Sequence, residues 1–561
     1  MKKIFVFLST FVISFYSVGQ ADELTALVEK LQGTFTSVQS ASKTYEQEIK
    51  LMQYSTLNYT YNQTDLKGIR TTFSSEFNLA DIDLYAVREE TQKDIIFVVL
   101  SVKNKQKLIK TTKEGQTQPY DDELRIHAKD VDHARVVLDI IKKCIPLGEK
   151  ITAGKLKLNG YESMKQWLEE NVKDVGNGSK TIAQTLKEQT YPASFKLLQV
   201  ESDGKTAHQE EFTFNIADIN LNTVAFKITG NSFALNFSML ERLKSVSVLR
   251  DGEAKPFTDD ITIFTNGVDE ARDIKTLFVM MSPLAQAKVK GDFPKFKTRE
   301  ESLESLVSLT KDVKINTKTF GQTILPKCAT TLTVTEQSSG ATEVNTYEFN
   351  WMDVNPNTFR LSVSGEKIQL DLPMLDKRKV VKHYKNDKVS GYEGDVSIYV
   401  DDIEVGRRLR NAADKTIGFC KASYVEPFSA DLLEIVTWMK ENTAEVTIEQ
   451  MTRKQTLEVV EEGNLNKLKF TSVEIKQSSS TEEVFEFNLS DINPNSINYD
   501  ISGKWLTVKF DTNFKNKIIK AYKGGKIQPY VFSLEMAMPD TEVARGMIAA
   551  LKKSAESFKG K

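Results

Sequence analysis

Phe487-Asn488-Leu489-Ser490-Asp491-Ile492-Asn493 is a phrase that the chain carries four times. The other copies begin at Phe77, Phe214 and Phe349 and share the pattern Phe-Asn-x-x-Asp-(Ile/Val)-(Asp/Asn). Their aspartates, Asp81, Asp218, Asp353 and Asp491, recur at nearly equal intervals. Such a repeat sets the architecture ahead of any local reading. Residues common to all four copies are expected to fold each copy rather than to build one site, and Phe77, Phe214, Phe349 and Phe487 are expected to be core anchors.

Downstream of each aspartate the copies stay in register, without a gap, as far as a shared arginine: Arg135, Arg272, Arg407 and Arg545. Turn-formers recur at two fixed offsets in between. The first holds Gly230, Gly365 and Gly503, with Lys93 in the first copy. The second holds Gly115, Gly252 and Gly525, with Asp387 in the third copy. Shortly after the second turn stands an aromatic in every copy: Tyr120, Phe257, Tyr392 and Tyr530. One of the four is phenylalanine, so the hydroxyl is dispensable. The ring is expected to pack inside its own barrel or against the leading helix of its own copy.

The last stretch has a helical stripe, as in Ala544, Met547 and Leu551. Asp130, Asp402 and Asp540 fit as N-caps. Before it, runs such as Trp505–Phe510 and Ile261–Phe264 alternate with period two, the mark of half-buried strands. Upstream of the phrase, a first strand carries Gln47, Gln184, Gln322 or Gln450. The gap from this glutamine to the aspartate is shortest in the third copy and longest in the fourth. The variable loops, such as Glu461–Lys467, fall in that gap. An amphipathic segment precedes each glutamine, for example Leu432–Met439. The expectation is an α+β chain of four tandem domains, 21–152, 153–292, 293–424 and 425–561, behind a signal peptide over 1–19. Each would be a leading helix, six or seven strands in meander order, and a C-terminal capping helix.

That element order resembles the pleckstrin-homology-like (PH-like) barrel, and the phrase from Tyr530 to Leu551 is similar to that fold's last strand and helix. The helix departs from eukaryotic members in lacking their tryptophan. The basic cluster that holds inositol phosphates is also missing, and Val459-Val460-Glu461-Glu462-Gly463 is acidic there. Phosphoinositide binding is therefore not implied. A lipocalin-like or other small meander barrel is the alternative.

Lys2 and Lys3, the apolar run Ile4–Tyr16 and the small residues Ser17-Val18-Gly19 read as a leader with Gln20 as the new N-terminus. No cysteine follows the leader, so a lipoprotein is not expected, and no later run reaches membrane-spanning length. The mature chain is expected in the periplasm or outside the cell. The 75 basic and 77 acidic residues nearly balance, which argues against nucleic acid. Of three cysteines, Cys328 and Cys420 are placed to staple the third copy, with unpaired buried thiols as the alternative.

Asp491-x-Asn493-x-Asn495 and its counterparts in the second and third copies begin like a calcium loop. They lack the glycine sixth and the glutamate twelfth that such a loop needs, and side-chain-bonded turns fit better. The four histidines have no metal-ligand spacing, and nucleophile-elbow, zinc-protease and phosphate-loop motifs are missing. No enzyme, cofactor or metal is expected. The shared Asp and Arg read as structural. They either pair, tying the strand turn to the closing helix, or each meets backbone nearby. The expected function is a scaffold or accessory subunit that binds proteins in the bacterial envelope. The alternative is a periplasmic carrier of small apolar ligands or lipids.

Overall fold

The computed structural model describes residues 19–177, 180–229, 232–476 and 479–558. The leader expected over 1–19 lies outside them except for residue 19, and so does Gly230. The described chain consists of four repeated antiparallel sheet units with helices between them. Each repeat holds one six-stranded and one three-stranded sheet.

In the first repeat the strands are β1 (Val38–Gln39), β2 (Lys43–Gln53), β3 (Thr56–Asp65), β4 (Arg70–Asn78), β5 (Arg88–Gln92), β6 (Ile95–Ser101), β7 (Lys110–Lys113), β8 (Gln116–Thr117) and β9 (Glu123–Ala128). The six-stranded sheet has the order β1-β2-β3-β4-β7-β8 and the three-stranded sheet β5-β6-β9. The other repeats follow the same order. This differs from a simple meander. The β5-β6 hairpin leaves the first sheet, β7 returns to pair with β4, and β9 pairs with β6. Among the described residues no sheet closes on itself.

The shared phenylalanine ends the fourth strand and is buried in every repeat. It lies opposite Leu57, Phe195, Thr330 and Leu468 in the four copies. The hairpin turn that follows, at the first of the two turn positions, needs a left-handed residue: Gly365 and Gly503 have φ of 63° and 64°, and Lys93 is held at 58°.

The two sheets are joined by a buried amide. The Gln322 side-chain nitrogen donates to the Tyr399 carbonyl (3.0 Å), and its oxygen accepts from the Tyr399 N–H (2.8 Å). Gln47, half-buried, and the buried Gln184 do the same with His127 and Phe264. In the fourth repeat the latch is Gln455, bonded to Ala537 at 2.7 and 2.8 Å. Gln450, expected there, precedes the strand Met451–Val459. Each amide stands in for a strand neighbour and satisfies a backbone pair between the sheets.

The helices are α1 (residues 19–34), α2 (Val131–Lys155), α3 (Tyr161–Asn171), α4 (Val268–Asp292), α5 (Arg299–Leu309), α6 (Ile403–Ser423), α7 (Leu432–Glu441) and α8 (Thr541–Ser557). Asp130, Asp402 and Asp540 cap α2, α6 and α8 through their carboxylates. The leading α7 crosses α8 closely, and a Cβ on Gly546 would collide with the Trp438 ring. The expected boundary at 152 falls inside α2.

The chain divides into two compact units, Met1–Gly291 and Asp292–Lys561. Each holds two repeats. In the first, Phe226, Ile228 and Val268 of repeat two pack on the core of repeat one. In the second, Tyr392 of repeat three belongs to the core of repeat four.

Candidate functional site: the repeat junctions

The repeated phrase turns the chain out of the fourth strand through a short 3-10 turn. Asn78, Asn215 and Asn350 cap it, their side-chain oxygens accepting from the N–H of Ala80, Ala217 and Met352 at 2.9, 2.9 and 3.0 Å. The aspartate ends the turn.

Its partner is not the arginine of its own repeat. Asp81 of repeat one receives Arg272 of repeat two, with Nε to Oδ1 at 3.2 Å and Nη2 to Oδ2 at 2.5 Å. Asp353 of repeat three receives Arg545 of repeat four at 2.9 and 2.7 Å, a two-pronged contact. The expected pair therefore exists, but it ties a turn to the next repeat's closing helix. Arg272 also meets Asp269 one turn earlier, and Arg545 meets Glu542 at 3.0 Å. Glu542 in turn accepts from Asn350 at 3.0 Å. Burial opposes the charge of both guanidiniums, but the facing carboxylates win, so both pKa values rise and the arginines stay charged.

Further contacts join the repeats around each ion pair. Tyr120 lies edge-on to Phe233 of repeat two, with centroids 5.3 Å apart. Arg378 stacks over Tyr499 of repeat four at 5.8 Å. Lys155 at the end of α2 bonds Asp273 of α4 at 2.7 Å. The shared aromatic thus packs on the following repeat, not inside its own, in both Tyr120 and Tyr392. Phe257 is half-buried. Tyr392 is 8% exposed, whereas Tyr530, which no described repeat covers, is 47% exposed. Tyr392→Ala is accordingly expected to cost about 2–3 kcal/mol, and Tyr530→Ala to stay within about 0.5 kcal/mol. Parallel urea melts of the two variants check this, and equal losses would refute the junction assignment.

The remaining shared residues are placed as follows. Asp218 ends its 3-10 turn half-buried. Arg407 lies 3.4 Å from Glu404, and burial draws its pKa down to about 10. Arg135 is 67% exposed with Asp132 at 3.3 Å. Asp491 accepts a hydrogen bond from Asn488 at 3.0 Å. Cys328 and Cys420 form a disulfide within repeat three, and Cys144 is a buried free thiol. The Asp-x-Asn-x-Asn stretches are turns: Asn220, Asn355 and Asn493 accept from the N–H of Asn222, Asn357 and Asn495. Among the described residues no group of His, Cys, Asp and Glu could hold a metal ion. No helix there is long and apolar enough to cross a membrane.

One buried cluster had no signal in the repeat. His127 lies between Tyr45 (4.2 Å, stacked), Phe97 and Tyr61, with its Nδ1 3.0 Å from the Tyr59 hydroxyl. Burial lowers its pKa from 6.5 to about 4. The unfolded chain then binds a proton that the folded one refuses, so stability falls as pH drops from 6.5 toward 4 and levels off below. The loss is at most about 3 kcal/mol. A His127→Phe variant should show a flatter pH profile over that range in thermal melts.

No protein-family model matches the chain, and no curated protein matches it. Among solved structures there is a match to the WD40 domain of SCAP from fission yeast, at 8% identity over 91% of this chain and 98% of that one. Its TM-score is 0.09, so the match carries neither fold nor function.

Proposed function

We propose that the chain is an exported, non-catalytic protein of the bacterial envelope, a multi-repeat scaffold or accessory subunit that binds other proteins. One observation supports this reading: within each unit, shared residues serve the cores and the junction between its two repeats. The phenylalanines are buried, Asp81, Asp353, Arg272 and Arg545 lock neighbouring repeats, and Tyr120 and Tyr392 cover the seam. A chain that invests repeated positions in joining domains presents two similar surfaces at fixed spacing within each unit, and weak contacts on such surfaces add through effective concentration. Each repeat is read as a variant of the PH-like barrel, its wall split into two sheets held by the glutamine latch, with the closing helix as cap.

Export is supported by the leader-like start and by the Cys328–Cys420 bridge, which suits an oxidising compartment. The near balance of charge supports proteins rather than nucleic acid as partners. The carrier reading has less behind it. The cleft lined by Phe320, Tyr347 and Tyr399 in repeat three measures about 140 Å³ and also carries Glu336, Glu393 and Asp395. Small-molecule sites typically need about 300 Å³ or more and mostly apolar walls.

Mild extraction of the native chain, followed by sizing and mass spectrometry, tests the proposal. The scaffold reading expects the chain in the envelope fraction together with other envelope proteins. Recovery alone, with a stoichiometric lipid bound, would replace it by the carrier reading.

A further inference from the structure

Within each unit a repeat presents one face to its successor, and the fourth repeat presents that face to solvent. Its features are Asp491 and the ring of Tyr530, 47% exposed where Tyr392 is 8%; the neighbouring loop at Phe514 is exposed in this repeat as its counterpart at Asp376 is in repeat three. Two other copies carry Asn104 and Asp376 at the Phe514 position, residue types that favour its left-handed backbone (φ 56°), and the second carries Glu241. A bulky aromatic there is held at a conformational cost, and the surface around it is an open groove of about 650 Å³ lined by Asn493, Asp511, Asn513 and Lys515.

The first repeat exposes the opposite face. Arg135 occupies the position of Arg272 and Arg545, and Val131, 43% exposed, that of the packed Val268. The strand that follows the phrase differs in one respect. Repeats two and four carry Phe226 and Ile228, and Tyr499 and Ile501, where repeat one has the exposed Glu89 and Thr91. At the junction of repeats three and four, Tyr499 lies under Arg378. The fourth repeat's residues flanking the Arg378 position are Lys515 and Lys517, both exposed. Glu89 would therefore meet lysines where Tyr499 meets arginine. The two free faces are complementary at the ion pair and along the strand.

We propose that the chain associates head to tail with a second copy of itself, Asp491 of one molecule receiving Arg135 of the next. The contact continues the internal junction geometry, with a charged strand contact replacing an apolar one. It is therefore weaker than the internal junctions and depends on concentration and salt. Because the two faces differ, the contact is heterologous, and each added copy leaves one free end of each kind unless a ring closes. This inference does not rest on the scaffold reading.

The test is sedimentation velocity of the purified mature chain between about 1 and 100 µM, with thermal melts to verify folding. The wild-type chain is expected to shift to larger species as concentration rises. Asp491→Arg and Arg135→Asp, each placing like charges face to face, should both remain monomeric at the top concentration. The chain carrying both substitutions should associate again. A wild-type chain monomeric throughout overturns the proposal and leaves the Phe514 face to a different protein. So do folded single variants that still associate, or a folded double variant that does not.

Discussion

Asp353→Ala is expected to lower the stability of the C-terminal unit by about 3–5 kcal/mol, the usual loss when one partner of a buried ion pair is removed. Arg545 is 13% exposed and Asp353 7%. Deleting the carboxylate leaves a guanidinium that cannot shed its proton, held away from water with only Glu542 close by. The pair also closes the seam between repeats three and four, so the loss is expected as an uncoupling. In urea, one transition of the C-terminal unit should split into two. Two controls separate this from a general effect at the repeated aspartate. Asp491→Ala removes the same residue where no arginine among the described residues meets it, and should cost about 1 kcal/mol or less, the worth of its hydrogen bond from Asn488. Asp353→Leu combined with Arg545→Met removes both charges and should recover most of the loss, because a buried pair replaced by packed apolar groups is often neutral. Similar destabilisation by Asp353→Ala and Asp491→Ala would show that the aspartate acts within its own repeat.

That contrast explains where the sequence was legible. Periodicity reveals which positions matter, and burial of the four phenylalanines and capping by Asp130, Asp402 and Asp540 follow directly from local chemistry. A strict repeat cannot say whether two shared positions meet within a copy or between neighbours, since both arrangements leave the same pattern. The pattern therefore leaves open which repeat's arginine meets Asp81 or Asp353, and the expected packing of the Tyr120 and Tyr392 rings within their own copies gives way to packing on the next repeat. The signal that breaks the degeneracy lies in an end copy. Glu89 and Thr91 in the first repeat depart from the pattern at positions where Phe226, Ile228 and Tyr499 serve the internal junctions. Strand partners were hidden for a related reason. Alternation marks a half-buried strand but not its neighbour, so the jump of β7 back to β4 had no local signature. In the fourth copy the expected Gln450 precedes the strand, and Gln455 instead makes the pairing with Ala537.

The second large effect is expected from the disulfide. Cys328 enters the strand Ala329–Ser338, Cys420 sits in the last turns of α6, and 92 residues separate them. The bridge therefore encloses most of repeat three, including its phrase at Phe349 and its junction residue Tyr392. For a loop of this length the chain-entropy argument gives about 4–5 kcal/mol of stabilisation through the restricted unfolded state. Native-state contacts around the bridge modify that figure without changing its sign. Cys328→Ser with Cys420→Ser should lower the urea midpoint of the C-terminal unit and leave that of the N-terminal unit in place. A reductant should do the same to the wild-type chain and nothing further to the variant. Cys144 does not complicate the comparison, because its thiol is buried and its pKa is pushed up to about 12, which leaves almost no thiolate for exchange at neutral pH. The loss should also reach repeat four, since Tyr392 lies in that repeat's core and Asp353 holds its Arg545. Unfolding of repeat three with repeat four intact would mean that the junction couples the two domains far less than the buried pair and ring imply.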